Sequence, residues 1–261
     1  MKRENLYSLC LVWFIVSVVS ACGQNIKNDN RIPDDNYIPT DEVAKTYLQL
    51  GVEYMRRGKN DIALTKLQKA LQVDHNYASA HNAIAVLYER LGLDNEATQH
   101  YQRAMALKPN GSDIHNNYGQ FLCKHKQWDK AEKHFFKALE NPVYRTPEIP
   151  YTNAGLCALR SNNTTKAETH LRTALQKNPK FPRALYQMAN LSYEQRRYVP
   201  ARDYLQRYLK LADHTPQTLW LGIRIERVLN NKDMEAKYIL LLRKEFPDAM
   251  ETQLLNQSKR L

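Results

Sequence analysis

Residues 51–70 read GVEYMRRGKNDIALTKLQKA, and residues 85–104 read AVLYERLGLDNEATQHYQRA. Set one above the other, they match at four places: Gly51, Ala63, Leu67 and Ala70 against Ala85, Ala97, Tyr101 and Ala104. The same four places recur as Gly119, Ala131, Phe135 and Ala138, then as Gly155, Ala167, Leu171 and Ala174. A fifth set is Ala189, Ala201, Leu205 and Tyr208. The intervals between the leading alanines are 34, 34, 36 and 34 residues. Self-similarity at such a period marks an array of supersecondary units that must stack to bury their apolar faces.

The recurring residue types follow if each unit is a pair of antiparallel helices. A small residue on the first helix lets the second approach closely, and the alanine of the second sits in that contact. The large residue one turn later fills the space above it. Composition agrees: glycine is only 8 of 261 residues, well under the usual ~7%, which argues against glycine-rich sandwiches and nucleotide-binding loops. Hydrophobic residues at 43% and charged residues at 25% exclude wholesale disorder.

This 34-residue pattern resembles the tetratricopeptide repeat over about residues 44–215. The expected fold is all-α, a superhelical solenoid of five clear repeats plus one degenerate C-terminal repeat, with its groove lined by the first helices. The sixth unit, from about Pro216 to Pro247, carries Trp220-Leu221-Gly222 and Ala236 with the spacing slipped by one. The repeat domain is placed at 44–247 and a C-terminal tail at 248–261. Within the 36-residue interval, Pro142, Pro147 and Pro150 predict an extended linker between repeats three and four.

Upstream, Met1-Lys2-Arg3 is a basic start, Leu6 to Val19 is an apolar run, and Val19-Ser20-Ala21 precedes Cys22. The run is too short for the ~20 apolar residues of a membrane span and reads as a signal peptide over 1–21. The residues Val19-Ser20-Ala21-Cys22 resemble a bacterial lipobox, which implies lipidation of Cys22; an ordinary secretory signal is the alternative. Gly23, with no Asp beside the cysteine, resembles the default sorting of Gram-negative lipoproteins to the outer membrane, facing the periplasm. Residues 22–43, polar and holding two prolines, read as the lipidated cysteine and a flexible tether spanning on the order of 25 Å.

The formal net charge is +11, which suits anionic partners, but nucleic acid is not expected for an exported chain. Three of the eight histidines, His100, His134 and His170, share one repeat register, and His81 and His115 share another. Recurrence at one register points to packing rather than ligation. With no H-E-x-x-H, G-x-S-x-G, P-loop or G-x-G-x-x-G pattern, neither catalysis, nor a metal, nor a cofactor is expected, and the chain is expected to be a monomer.

Function therefore falls to the groove. The groove-facing positions of tetratricopeptide first helices correspond to Leu48, Val52, Met55 and Arg56 in the first repeat, and to Asn82, Val86 and Arg90 in the second. The third contributes Asn116 and Gln120. Apolar residues flanked by Arg and Asn suit an amphipathic or extended peptide; alternatively, Leu48, Val52 and Met55 pack beneath the tether. A carboxylate clamp of the chaperone-tail kind would need Lys and Asn where Leu48 and Val52 stand.

The segments His115–Cys123, Asn153–Cys157 and Leu219–Glu226 resemble the type IV pilus biogenesis and stability lipoproteins. In that family the lipobox, six repeats and two repeat cysteines occur together. The resemblance implies a non-enzymatic pilotin, tethered to the outer membrane by its lipid, that escorts or stabilises the outer-membrane secretin of the pilus. A lipoprotein adaptor for peptidoglycan enzymes, proteases or barrel assembly is the rival reading.

The first helices of neighbouring repeats run side by side in one direction, so Cys123 and Cys157 stand at nearly the same height. Their Cα atoms can then approach within the ~4.4–6.8 Å that a disulfide requires, in a compartment that oxidises thiols. Two unpaired buried thiols are the alternative.

Overall fold

A computed structural model describes residues 40–257. Cys22, the signal segment and most of the tether lie outside the described residues. The described chain forms six antiparallel helix pairs and a final helix. The pairs are α1 (Thr40–Arg56) with α2 (Asn60–Val73), α3 (Ala78–Leu91) with α4 (Asp94–Leu107), and α5 (Ser112–Lys124) with α6 (Trp128–Leu139). They continue as α7 (Glu148–Arg160) with α8 (Thr164–Lys177), α9 (Pro182–Glu194) with α10 (Tyr198–Leu209), and α11 (Pro216–Val228) with α12 (Lys232–Glu245). The last helix is α13 (Met250–Gln257). Among the described residues every element is helical, as the repeat predicts.

The small residue of each unit marks where its two helices come closest. A β-carbon added at Gly51 would sit 2.6 Å from the Leu67 side chain, and one at Gly119 would sit 2.7 Å from the Phe135 ring. At Gly155 it would meet Leu171 at 2.8 Å. The alanines Ala63, Ala97, Ala131, Ala167 and Ala201 are fully buried in these seams. Core clusters then run from one pair to the next: Met55, Leu67, Ile84 and Leu87 join the first two repeats, and Ala189, Leu205, Leu221 and Ile225 join the fifth and sixth.

The turn inside each pair contains one residue in the left-handed region: Gly58, Gly92, Lys126, Asn162, Arg196 and Asn230, with φ from 55° to 74°. Only the first two are glycines, which accept that conformation without steric cost. The sixth member, Asn230, shows that the last pair turns as the others do. Its seam differs from the expectation. Ala236 is exposed, and the close approach is made by Gly222, where a β-carbon would lie 2.9 Å from the Tyr238 ring. Gly222 and Tyr238 keep the separation of Gly51 and Leu67, so the contact survives while the alanine slips out of it.

Two further segments depart from the sequence reading. The segment 141–147 is a set of turns rather than an extended linker: the Tyr144 amide bonds the Asn141 carbonyl at 3.1 Å, and the Val143 amide bonds Asn141 Oδ1 at 3.1 Å. Pro150 belongs to the first turn of α7, where a missing amide proton costs nothing. The segment 248–261, read as a tail, contains α13, which buries Leu255 against Leu219, Ile223, Tyr238 and Leu242. A solenoid end needs such a cover, because its last pair has no successor.

Candidate peptide-binding groove

The first helices α1, α3 and α5 supply the residues expected to line the groove. Leu48 and Val52 are half-buried and, with Asn82 and Ala83 of α3, wall a cavity of about 240 Å³ that reaches the start of α5. On their outer side, Leu48, Val52 and the exposed Arg56 border a shallower hollow with Thr46 and Gln49. Arg56 also pairs with Glu53 at 3.8 Å. Further along, Val86, Arg90 and Gln120 surround a cavity of about 180 Å³ with Glu89, Tyr101 and Asn117. The Tyr101 hydroxyl donates to Glu89 Oε2 at 3.3 Å; burial first, then the Glu89 charge, pushes its pKa up.

Two of the expected residues leave the groove. Met55 is buried in the seam between the first two repeats, because a residue three places after Val52 has turned toward the second helix. Asn116 is also buried, and its Oδ1 accepts from Asn153 Nδ2 at 2.8 Å. Its neighbour Asn117 reaches the groove instead and donates to Asn82 Oδ1 at 3.3 Å. Asn116 bonds Asn117 at 3.4 Å, so a chain of amides links the first helices of repeats two, three and four. The doublet Asn116-Asn117 was the visible signal for it.

The basic residues at the ends of these helices are partly engaged. Arg90 donates to the Met55 carbonyl at 3.0 Å, and Lys124 donates to the Glu89 carbonyl at 3.3 Å. Each thus covers carbonyls at the C-terminal end of the preceding first helix, where a cation is favoured. Arg90 therefore shapes the groove wall as much as it faces it.

Cys123 of α5 and Cys157 of α7 form a disulfide with Cα atoms 5.8 Å apart. It joins repeats three and four across the junction that carries the two extra residues. The histidines pair with one another: His81 with His100, and His115 with His134, each Nδ1 to Nδ1 at 3.0 Å. His170 Nε2 instead contacts Glu132 Oε1 at 3.0 Å. Among the described residues no group of three or more His, Cys, Asp or Glu side chains is placed to hold a metal ion. None of the described helices is long and apolar enough to cross a membrane.

Family models of the tetratricopeptide repeat match residues 51–92, 80–114, 100–133 and 158–218. The type IV pilus assembly protein PilF of Pseudomonas aeruginosa is 31% identical over 230 residues, covering 87% of this chain and 91% of the relative. A solved structure of Pseudomonas aeruginosa PilF superposes with a TM-score of 0.73, covering 84% of this chain and 99% of that one. The structure of PilW, described as a widely conserved type IV pilus biogenesis factor, gives a TM-score of 0.73 at 29% identity, with 82% and 98% covered. A helical-pair array of the same length, with about a third of its residues identical, leaves one family: the chain belongs to the tetratricopeptide-repeat proteins of type IV pilus biogenesis represented by PilF and PilW.

Proposed function

We propose that the protein is a non-enzymatic pilotin: a lipoprotein, anchored by Cys22 in the outer membrane and facing the periplasm, that binds the pilus secretin in its groove. The observation that carries this reading is the half-buried apolar strip of Leu48 and Val52 beside Asn82, Val86 and Gln120. Such a strip offers a peptide both apolar burial and side-chain amides. Covering two or three apolar side chains of a partner yields ~1.5–3 kcal/mol each before ordering costs.

Replacing Val52 and Val86 by Glu places charge in the strip at half-buried positions on the edge of the seam between the first two repeats, so the fold is checked beside the function. Secretin oligomers should then fail to assemble in cells while the helical circular dichroism of the purified protein is unchanged. Full assembly in that variant removes the groove from the mechanism. Cys22→Ser tests the anchor separately, since the variant should leave the outer-membrane fraction; normal fractionation rejects lipidation at that residue.

A further inference from the structure

The six turns inside the helix pairs follow one another along one edge of the array, because each first helix packs beside the next. Counted from the last residue of the first helix to the second residue of its partner, these turns hold nine Lys and Arg against five Asp and Glu. The six turns between pairs, counted in the same way along the opposite edge, hold six against eight. The positive charge of the chain therefore favours one edge. On it Lys59, Lys126, Arg160 and Arg196 are exposed and make no ion pair among the described residues. The same edge exposes Leu91 and Leu93 in its second turn, Val199 in its fifth and Val228 in its sixth, each at least 40% exposed. Every one of the six turns thus offers an unpaired cation, an apolar tip or both. The opposite edge also exposes Val143, Leu211 and Met250, but amid an excess of acids.

We infer that the cationic edge rests on an anionic bilayer surface, its unpaired cations against lipid phosphates and its apolar tips in the boundary beneath them. Apolar tips among cations match that interface on both counts: the headgroup layer supplies negative charge, and the region below it accepts the tips. The anchor decides between a bilayer and an acidic protein. A chain tethered at Cys22, 18 residues before Thr40, meets lipid at a high effective concentration, so weak contacts spread over six turns suffice to hold the edge down. This step rests on the anchor proposed above, which the experiment reads separately.

A fluorophore that brightens on leaving water would be placed on Val199→Cys, at this edge, or on Val143→Cys, at the opposite one. The mature chain is labelled without reductant and reconstituted into vesicles of phosphatidylcholine with or without phosphatidylglycerol. In the parent, Cys123 and Cys157 are bonded to each other and an acylated Cys22 has no thiol. Labelling of the parent itself would therefore show that the anchor reading fails, while Val199 still reports on the edge once the parent signal is subtracted. With phosphatidylglycerol the Val199 label should brighten at least about twofold and the Val143 label should not change. Each cation is worth about fivefold in surface affinity, so Lys126→Gln with Arg196→Gln should dim the Val199 label, and added salt should do the same. A Val199 label that stays dim overturns the inference and leaves an acidic protein as the partner of this edge. Equal brightening at Val143, or brightening without phosphatidylglycerol, also overturns it, because the anchor alone would then account for the proximity. A cation variant as bright as its parent removes the charge from the contact and overturns it as well.

Discussion

His134 Nδ1 lies 3.0 Å from His115 Nδ1, while His115 Nε2 lies 2.8 Å from the Pro109 carbonyl. A carbonyl only accepts, so His115 donates from Nε2; when both rings are neutral its Nδ1 accepts and His134 donates from Nδ1. One repeat earlier His81 and His100 repeat the arrangement, with the His75 carbonyl at 3.2 Å. Burial first, then the neighbouring His115, lowers the His134 pKa to about 4. Burial and His81 lower that of His100. Burial also lowers that of His81, the His75 carbonyl opposing and Arg103 adding to the shift.

Depressed histidines make folding favour the neutral rings. The unfolded chain binds more protons between the ordinary histidine pKa of ~6.5 and the folded value of about 4, so stability falls as pH falls through that window. The melting temperature should drop from pH 7 to pH 5 by more in the parent protein than in a His100→Phe, His134→Phe variant. Equal drops in both would show that these pairs do not couple to protons.

Gly119 tests the seam. Alanine there brings a β-carbon to 2.7 Å from the Phe135 ring, and overpacking of this kind costs typically 1–3 kcal/mol. Gly119→Ala should lower the urea midpoint accordingly. Adding Phe135→Leu, which recreates the pairing of Ala189 with Leu205 in the fifth repeat, should recover part of the loss. A double variant as destabilised as the sum of its parts would mean that the contact is not the cause.

The bond between Cys123 and Cys157 closes a sequence separation of 34 residues. On the chain-entropy account such a loop is worth roughly 3–4 kcal/mol. A Cys123→Ser, Cys157→Ser variant should unfold at lower urea by that amount, and a reductant should reproduce the shift in the parent. Unreduced, alkylated protein should show neither thiol modified by mass spectrometry. A parent indifferent to reductant would remove the staple from the stability of this junction.

The helical array was legible because its packing recurs: Gly51, Ala63 and Leu67 repeat their types five times, and each type answers to one local contact. The turns were less legible, since Lys126, Asn162, Arg196 and Asn230 take a glycine-favoured conformation without being glycine. In the groove, register alone did not separate Asn116 from Asn117. The first is buried against Asn153 and the second meets Asn82, a difference that the partner helices set. That Leu48, Lys108 and Ser112 border one cavity was not legible at all. Those residues come from three repeats and different registers, and only the stacking of the units brings them together.

The end of the array provides the last test. Leu255 of α13 is fully buried among Leu219, Ile223, Tyr238 and Leu242, so the final helix seals the sixth pair as a seventh unit would. In a solenoid each unit is held by its neighbours alone, and loss at one end propagates inward only as far as the next interface. Leu255→Ala should cost ~2–5 kcal/mol locally. Amide exchange should quicken through α11 and α12, while α1 to α4 keep their protection. Uniform acceleration along the whole chain would show instead that the array unfolds as one cooperative unit and that α13 is no local cap.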